Sequence, residues 1–252
     1  MRILLSNDDG ILAKGLGVLE RACEPLGEIS VVAPDREQSA TSHSLTLHHP
    51  LRPVQLGERR WQVDGTPTDC VLVACHALLD VRPDVVISGI NHGPNMGEDV
   101  LYSGTVAAAM EGLALGIPSI AVSFAGSVLR ADALLETQVE VLRTLLQTLI
   151  SLPTFPADTL LNINLPAVPA DQIKGHRMTR LGRRVFSDSI TRMKDPWGRE
   201  ILWIGGGSVE WSGPEDSDFR AVRDGYISVT PLHLDLTHGA ILDTAMDWWP
   251  AQ

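Results

Sequence analysis

The sequence is short of cysteine, of basic charge and of long apolar runs. Its three cysteines, Cys23, Cys70 and Cys75, are an odd and sparse set that reads as reduced core thiols, as in a reducing compartment, rather than a disulfide framework. Cys70 and Cys75 have no second ligand pair, so a zinc site is not expected. No stretch reaches the roughly 18 consecutive apolar residues of a membrane span; the most apolar one, Thr105 to Phe124, is interrupted by Glu111 and Pro118. Ile3 to Leu5 is too short for a leader's hydrophobic region and acids follow at once, so the cytoplasm is the expected location and no membrane partner is expected. A formal net charge of −11 lacks the basic footprint that a nucleic-acid polymer requires. The phosphate loop Gly-x4-Gly-Lys-Ser/Thr is missing, and so is the Gly-x-Gly-x-x-Gly of nicotinamide oxidoreductases after the first strand. No internal repeat or low-complexity tract is present.

The 252 residues, 44% apolar and 20% charged, suit one large domain or a domain with an appendage. Short apolar runs at Arg2–Ser6, Ile29–Ala33, Val85–Ser88, Ser119–Ser123 and Leu160–Leu165 read as strands. Gly15–Pro25, Thr68–Leu79, Thr105–Leu115 and Leu129–Ser151 read as helices. This alternation predicts an α/β fold with a mostly parallel sheet flanked by helices. Ser44–Leu56 with Trp61–Asp64 reads as an inserted hairpin near residues 44–64. Beyond Pro153 the character changes. Met178–Ile190, Glu200–Ile204 and Tyr226–Thr230 look like strands of a smaller β-rich C-terminal appendage. The expected division is a catalytic core over 1–165 and an arm with a C-terminal segment over 166–252. Trp197, Trp203, Trp211, Trp248 and Trp249 crowd this second part, and aromatics on a projecting arm favour a subunit contact.

Charge is uneven. Between Lys174 and Arg199 lie eight basic residues against two acids, a net +6 that leaves −17 for the rest. The segment is either a solvated hairpin face paired with the acidic run Glu210 to Asp218, or a cationic arm that draws anions toward the site.

Four segments carry chemistry. The first strand ends in Ser6-Asn7-Asp8-Asp9-Gly10, and in open parallel sheets ligands bind beyond the carboxyl ends of the strands. Two adjacent carboxylates there either hold a hard divalent cation such as Mg²⁺ or Mn²⁺ or cap the next helix. After Val86-Ile87-Ser88 comes the loop Gly89-Ile90-Asn91-His92-Gly93-Pro94-Asn95. Asn91 there offers a neutral oxygen to a metal or forms an Asx-turn. Ser103-Gly104-Thr105 opens an alanine-rich helix, whose free N–H groups suit a phosphate unless Ser103 simply caps it. The loop after the second strand brings Ser39, a candidate metal hydroxyl, and His43, either a proton carrier or a structural hydrogen-bonder. Together, two carboxylates, neutral oxygens and an anion-cradling helix start point to metal-assisted hydrolysis of phosphate esters. A non-catalytic nucleotide-binding or scaffold protein on the same fold is the alternative.

These segments resemble, in order and nearly end to end, the survival protein SurE family of metal-dependent nucleotidases. The resemblance rests on Leu4-Leu5-Ser6-Asn7-Asp8-Asp9-Gly10, Ala33-Pro34-Asp35-Arg36 with Ser42-His43-Ser44, Val63-Asp64-Gly65-Thr66-Pro67-Thr68-Asp69, Ser88-Gly89-Ile90-Asn91 with Asn95, Tyr102-Ser103-Gly104-Thr105 and Leu161-Asn162-Ile163-Asn164-Leu165-Pro166. It implies a Rossmann-like core and a C-terminal part exchanged in a homodimer or homotetramer. It implies hydrolysis of nucleoside 5′- and 3′-monophosphates, extending to short-chain polyphosphate, with one divalent ion, Mg²⁺ or Mn²⁺, per subunit. By the resemblance Asp8, Asp9, Ser39 and Asn91 are the metal ligands, Asp8 and Asp9 the catalytic residues, and Asn95, Ser103, Gly104 and Thr105 the phosphate contacts. His92 and Pro94 receive no role.

Overall fold

A computed structural model describes residues 1–126, 128–186, 190–204 and 209–245. The central sheet takes strands from the whole chain: β1 (Arg2–Ser6), β2 (Glu28–Pro34), β3 (Pro53–Gly57), β4 (Arg60–Val63), β5 (Val85–His92), β6 (Ser119–Phe124), β7 (Leu160–Leu165), β8 (His176–Met178) and, after four strands of the arm, β13 (Ile227–Leu232). Their order across the sheet is β3-β4-β2-β1-β5-β6-β7-β13-β8. From β4 to β7 every pairing is parallel; β3 on β4 and β13 on β7 are antiparallel. The α/β expectation and the placing of β1, β2, β5, β6 and β7 agree with this architecture.

Alternation along the strands decides which face each residue serves. Ile3 and Leu5, Val31 and Ala33, Val85 and Ile87, Ile120 and Val122 bury against α1 (Lys14–Cys23), α4 (Val128–Thr137) and α5 (Val139–Ile150). Leu4, Val32 and Val86 turn the other way, onto Cys70 and Val71 of α2 (Pro67–Val73) and Ala108 of α3 (Gly104–Ala114). The three cysteines are free thiols, and burial pushes that of Cys23 up to about 12.

Three expectations need correction. The single helix over Leu129–Ser151 is two, because Gln138 adopts φ −95° and ψ 0° and turns its buried amide onto the Pro166 and Val168 carbonyls, at 2.9 and 2.6 Å. The helix over Thr68–Leu79 is α-helical only to Val73 and then widens into a π turn over Ala74–Leu78. Tyr226–Thr230 is not an appendage strand: β13 lies in the main sheet, pairing Ser228 with Asn164 and Thr230 with Asn162. The sheet thus continues past residue 165 into strands from both ends of the arm.

The arm itself consists of two antiparallel pairs. β9 (Arg183–Phe186) pairs with β12 (Val209–Ser212), and β10 (Ile190–Lys194) with β11 (Glu200–Ile204). The outer pair exposes apolar side chains, Trp197 at 78% and Ile204 at 88%. Trp248 and Trp249 lie outside the described residues. Much of the basic charge in the arm is locally paired: Arg180 with Asp216 at 2.8 Å, Arg192 with Glu200 at 3.0 Å, Arg199 with Asp195 at 2.7 Å and Arg184 with Asp99. Such pairing leaves less net field for steering anions than the bare count suggests.

α1 packs so tightly on β5 that a Cβ on Gly15 would stand 2.1 Å from the Ile90 carbonyl oxygen. Ala in place of Gly within a helix ordinarily stabilises by about 0.5–1 kcal/mol. Here the backbone clash reverses the sign. Gly15→Ala is expected to lower unfolding free energy by roughly 2 kcal/mol or more, read from urea unfolding; a neutral or stabilised variant would contradict this packing.

Candidate functional site

The sheet reverses its winding between β1 and β5, since the chain leaves β1 for β2 on one side and returns to β5 on the other. Such a switch point opens a crevice at the carboxyl ends of the two strands. Asp8 and Asp9 follow β1 directly, and Asn91 lies at the end of β5, just past a register irregularity between Ser88 and Asn91 against β6. Bulges of this kind re-aim side chains beside functional sites.

The two acids do not cap a helix. The N-cap of α1 is Ala13, and it makes no side-chain bond. Instead Asp8 is buried, 4% exposed, against the start of α3. The Thr105 hydroxyl donates to its Oδ1. A Cβ on Gly104 would stand 2.8 Å from the Asp8 Cβ and 3.1 Å from its Oδ2, so only glycine lets the helix start come this close. Behind it, the Asp8 backbone oxygen accepts from Gln38 N–H at 2.7 Å, which ties the Ser39 loop to the same point. Asp9 is met by His92, whose backbone N–H donates to Oδ2 at 3.2 Å and whose Nδ1 lies 3.3 Å from the same oxygen.

Electrostatics follow from this placement. Burial pushes the Asp8 carboxyl from 3.8 up to about 6, and the neighbouring Asp9 charge adds to the rise. Hydrogen bonding from Thr105 opposes it without cancelling it. None of the ion pairs among the described residues brings a Lys or Arg side chain to either acid.

The remaining candidates fall out unevenly. Asn91 uses its amide nitrogen on the Gly93 carbonyl at 2.8 Å, a local turn bond that leaves the oxygen as its ligand-type atom. Ser39 is exposed and donates to Glu37 at 2.6 Å. Ser103 caps α3 by accepting from Val106 N–H at 3.1 Å. Thr105 is committed to Asp8 rather than presented to an anion. Asn95 is buried, its amide donating to Ser123 Oγ at 2.8 Å while Asn162 and Asn164 hold its backbone oxygen. His43 binds Glu111 of α3 through Nε2 at 2.9 Å.

Several positioning residues were not legible in the sequence. His92 contacts Asp9. Asn164 also receives the Asn95 N–H at 2.9 Å. Asp218, fully buried, accepts from Gly97 N–H at 2.8 Å and Gly182 N–H at 2.9 Å, so it anchors the Asn91–Gly97 loop to the base of the arm. The Thr66-Pro67-Thr68-Asp69 piece is a capping box on α2. Its Asp69 accepts from Thr46 N–H at 3.0 Å and its Thr66 donates to the Ser44 carbonyl at 2.8 Å, which fixes the loop after Ser39. A paired-acid signal finds Asp8 and Asp9; these distant anchors have no sequence spacing that links them.

The donor set can be tested against a metal. Among the described residues no group of three or more His, Cys, Asp or Glu forms a metal cluster. What the crevice offers is two carboxylates, one of them desolvated and, among the described residues, paired with no Lys or Arg, with amide and hydroxyl oxygens nearby. That chemistry fits a hard, oxygen-seeking divalent ion.

A family model described as survival protein SurE matches residues 3–188. A protein of Gemmatimonas aurantiaca named 5′-nucleotidase SurE is 83% identical over 249 residues, 99% of each chain. One of the same name from Methylococcus capsulatus is 48% identical over all of this chain and 99% of its own. The crystal structure of the SurE protein from Aquifex aeolicus superposes with a TM-score of 0.87 at 40% identity, covering 98% of this chain and 99% of that one.

The Asp8 shift has a stability consequence. Its folded pKa lies above the unfolded value, so between pH 4 and 6 the unfolded chain gives up its proton first. With fewer protons bound in the unfolded state, stability falls as pH rises across that window and levels off above it. In chelator-treated protein, Asp8→Asn is expected to match the wild type near pH 4 and to exceed it by up to roughly 3 kcal/mol at pH 7, measured by denaturant unfolding. A pH-independent difference between the two would refute the assignment of the strain to Asp8.

Proposed function

Because the chain belongs to the SurE family, and because a desolvated carboxylate pair stands at its sheet switch point, we propose that it is a divalent-metal-dependent 5′-nucleotidase. It hydrolyses nucleoside 5′- and 3′-monophosphates to nucleoside and phosphate, and by the same site splits short polyphosphates into shorter chains and phosphate. The observation that carries this reading is the packing of the α3 start onto Asp8 beside Asp9. That packing joins an anion-favouring helix terminus to a cation-favouring acid pair.

Asp8, Asp9, Asn91 and, from the adjoining loop, Ser39 are the residues that would hold the ion. When bound, Mg²⁺ or Mn²⁺ supplies Lewis acidity toward the phosphoryl oxygens and offsets the charge of the two acids. The chain's own contributions are distinct. Thr105 fixes the Asp8 carboxylate in one orientation through its hydroxyl. His92 does the same for Asp9. Gly104 and the cap residue Ser103 would turn the positive end of α3 toward the reacting phosphoryl group, and Asn95 is held in place by Ser123, Asn162 and Asn164. Charge building on the phosphoryl oxygens thus meets oriented dipoles that need no reorganisation. Water is the favoured nucleophile, because carboxylates committed to a cation attack poorly.

The exposed apolar hairpin over Ile190–Ile204 suits contact with a second copy of the chain, in a dimer or tetramer.

The decisive experiment is a phosphatase assay on the common nucleoside monophosphates with Mn²⁺ or Mg²⁺ and with chelator. Chelation is expected to abolish turnover and metal to restore it. Asp9→Asn and Asn91→Ala should each lose at least about 100-fold in kcat/KM, and Mn²⁺ should raise the melting temperature of the wild type but not of Asp9→Asn. Metal-independent turnover, or a fully active Asp9→Asn at saturating Mn²⁺, would overturn the ligand assignment. Nucleotide binding without any turnover would favour the scaffold reading instead.

A further inference from the structure

A cavity of about 310 Å³ runs beside α3, apart from the acid pair but sharing the same helix start. Ser103, Ala107 and Met110 form one wall, at the spacing that places them on a single face of a helix. From Ser103 to Met110 that wall extends about 10.5 Å at 1.5 Å per residue. Leu234 and Leu236, just after β13, line the same space. Two imidazoles, His43 and His233, also line the space. His43 is held in place there through its Nε2 bond to Glu111 at 2.9 Å, and its loop is fastened to the same helix start by the Ser42 N–H bond to the Tyr102 carbonyl at 3.1 Å.

We propose that this cavity receives the nucleoside moiety of the substrate, an inference that rests on the nucleotidase reading of the adjoining acid pair. Three observations favour that occupant. Ser103, the residue that caps the helix proposed to face the phosphoryl group, also lines the cavity, so a ligand anchored at that helix start has the cavity within reach. Its volume lies at the lower end of the range for small-ligand sites, which suits one base and sugar and not a longer chain. Its lining combines flat apolar contact from Ala107, Met110, Leu234 and Leu236 with imidazole groups able to hydrogen-bond or stack on a base. Leu234 and Leu236 are also among the exposed large apolar residues of the chain, as walls of an open site would be. Selectivity for the nucleoside then resides in α3 and the segment after β13, whereas the acid pair acts on any phosphate ester that reaches it.

The test fills the cavity from each side. Met110→Trp and Leu234→Trp are made separately, and each is compared with the wild type for KM and kcat on the nucleoside 5′-monophosphate that the wild type turns over fastest. Inorganic phosphate, as product inhibitor, reports on the phosphoryl site alone. Both variants are expected to raise KM at least tenfold while the phosphate inhibition constant stays within twofold. The free nucleoside should inhibit the wild type competitively and inhibit each variant at least tenfold less well. If either variant fails to fold, the nucleoside competition in the wild type decides, and its absence overturns the proposal. Unchanged KM in folded variants overturns it too, as does a change in sedimentation with KM intact, which would make the cavity a subunit contact. Should the wild type hydrolyse no nucleotide at all, the function proposed above fails separately. Calorimetric titration with nucleoside monophosphate then judges the cavity alone: binding weakened tenfold by Met110→Trp supports it, and binding absent or unaltered refutes it.

Discussion

One placement governs the rest: a carboxylate, Asp8, is held out of water next to a second carboxylate, and the start of a helix is pressed against it. Burial and the Asp9 charge both disfavour its ionised form, while Thr105 and the α3 terminus partly compensate. A buried acid without a matched cation is costly. The fold tolerates it because β1 lies at the centre of the sheet, flanked by β2 and β5 and backed by both hydrophobic layers. The desolvated carboxylate thereby stands at the point where the sheet topology opens a crevice, which suits the cation proposed there.

Around that point the loops are held by long-range polar anchors rather than by local turns alone. Gln38 binds the Asp8 backbone, His43 binds Glu111, and the Thr66–Asp69 capping box takes hold of residues 44 and 46. On the other flank Asn162 and Asn164 of β7 hold Asn95, and Asp218 ties Gly97 to Gly182. The base of the arm is therefore part of the scaffold of the site loop. Arg184 strengthens the link, its side chain on Asp99 and its backbone N–H on Glu98 at 2.6 Å. Preorganisation of this kind is what charge stabilisation without reorganisation requires.

Local patterns carried much of this molecule. The run Ile3-Leu4-Leu5 alternates faces as a central strand must, and the alanine-rich segment after Ser103 forms the expected helix with the serine at its cap. The acid pair drew notice as adjacent carboxylates after a buried strand, and the choice between helix capping and cation binding rested on the other loops gathered at the same sheet edge. The reading of Thr105 as a phosphate contact did not foresee its hydroxyl bond to Asp8, since a hydroxyl in the first turn of a helix suits an anion and a neighbouring carboxylate equally well. The contact of His92 with Asp9 is not visible in the sequence for a different reason: the two lie 83 residues apart.

From the chain alone follow the class of fold, the succession of strands and helices in its first half, and the residue types fit for a hard cation and a phosphoryl group. These depend on neighbours in sequence: face alternation, helical spacing and cap chemistry. Only the folded molecule decided that β13 returns to the main sheet, that Gln138 divides a helix, and which partner each polar side chain of the site takes. Those outcomes depend on pairings across the sheet and on how closely backbones approach. No local spacing encodes them, because free energy selects them only after distant segments are packed together.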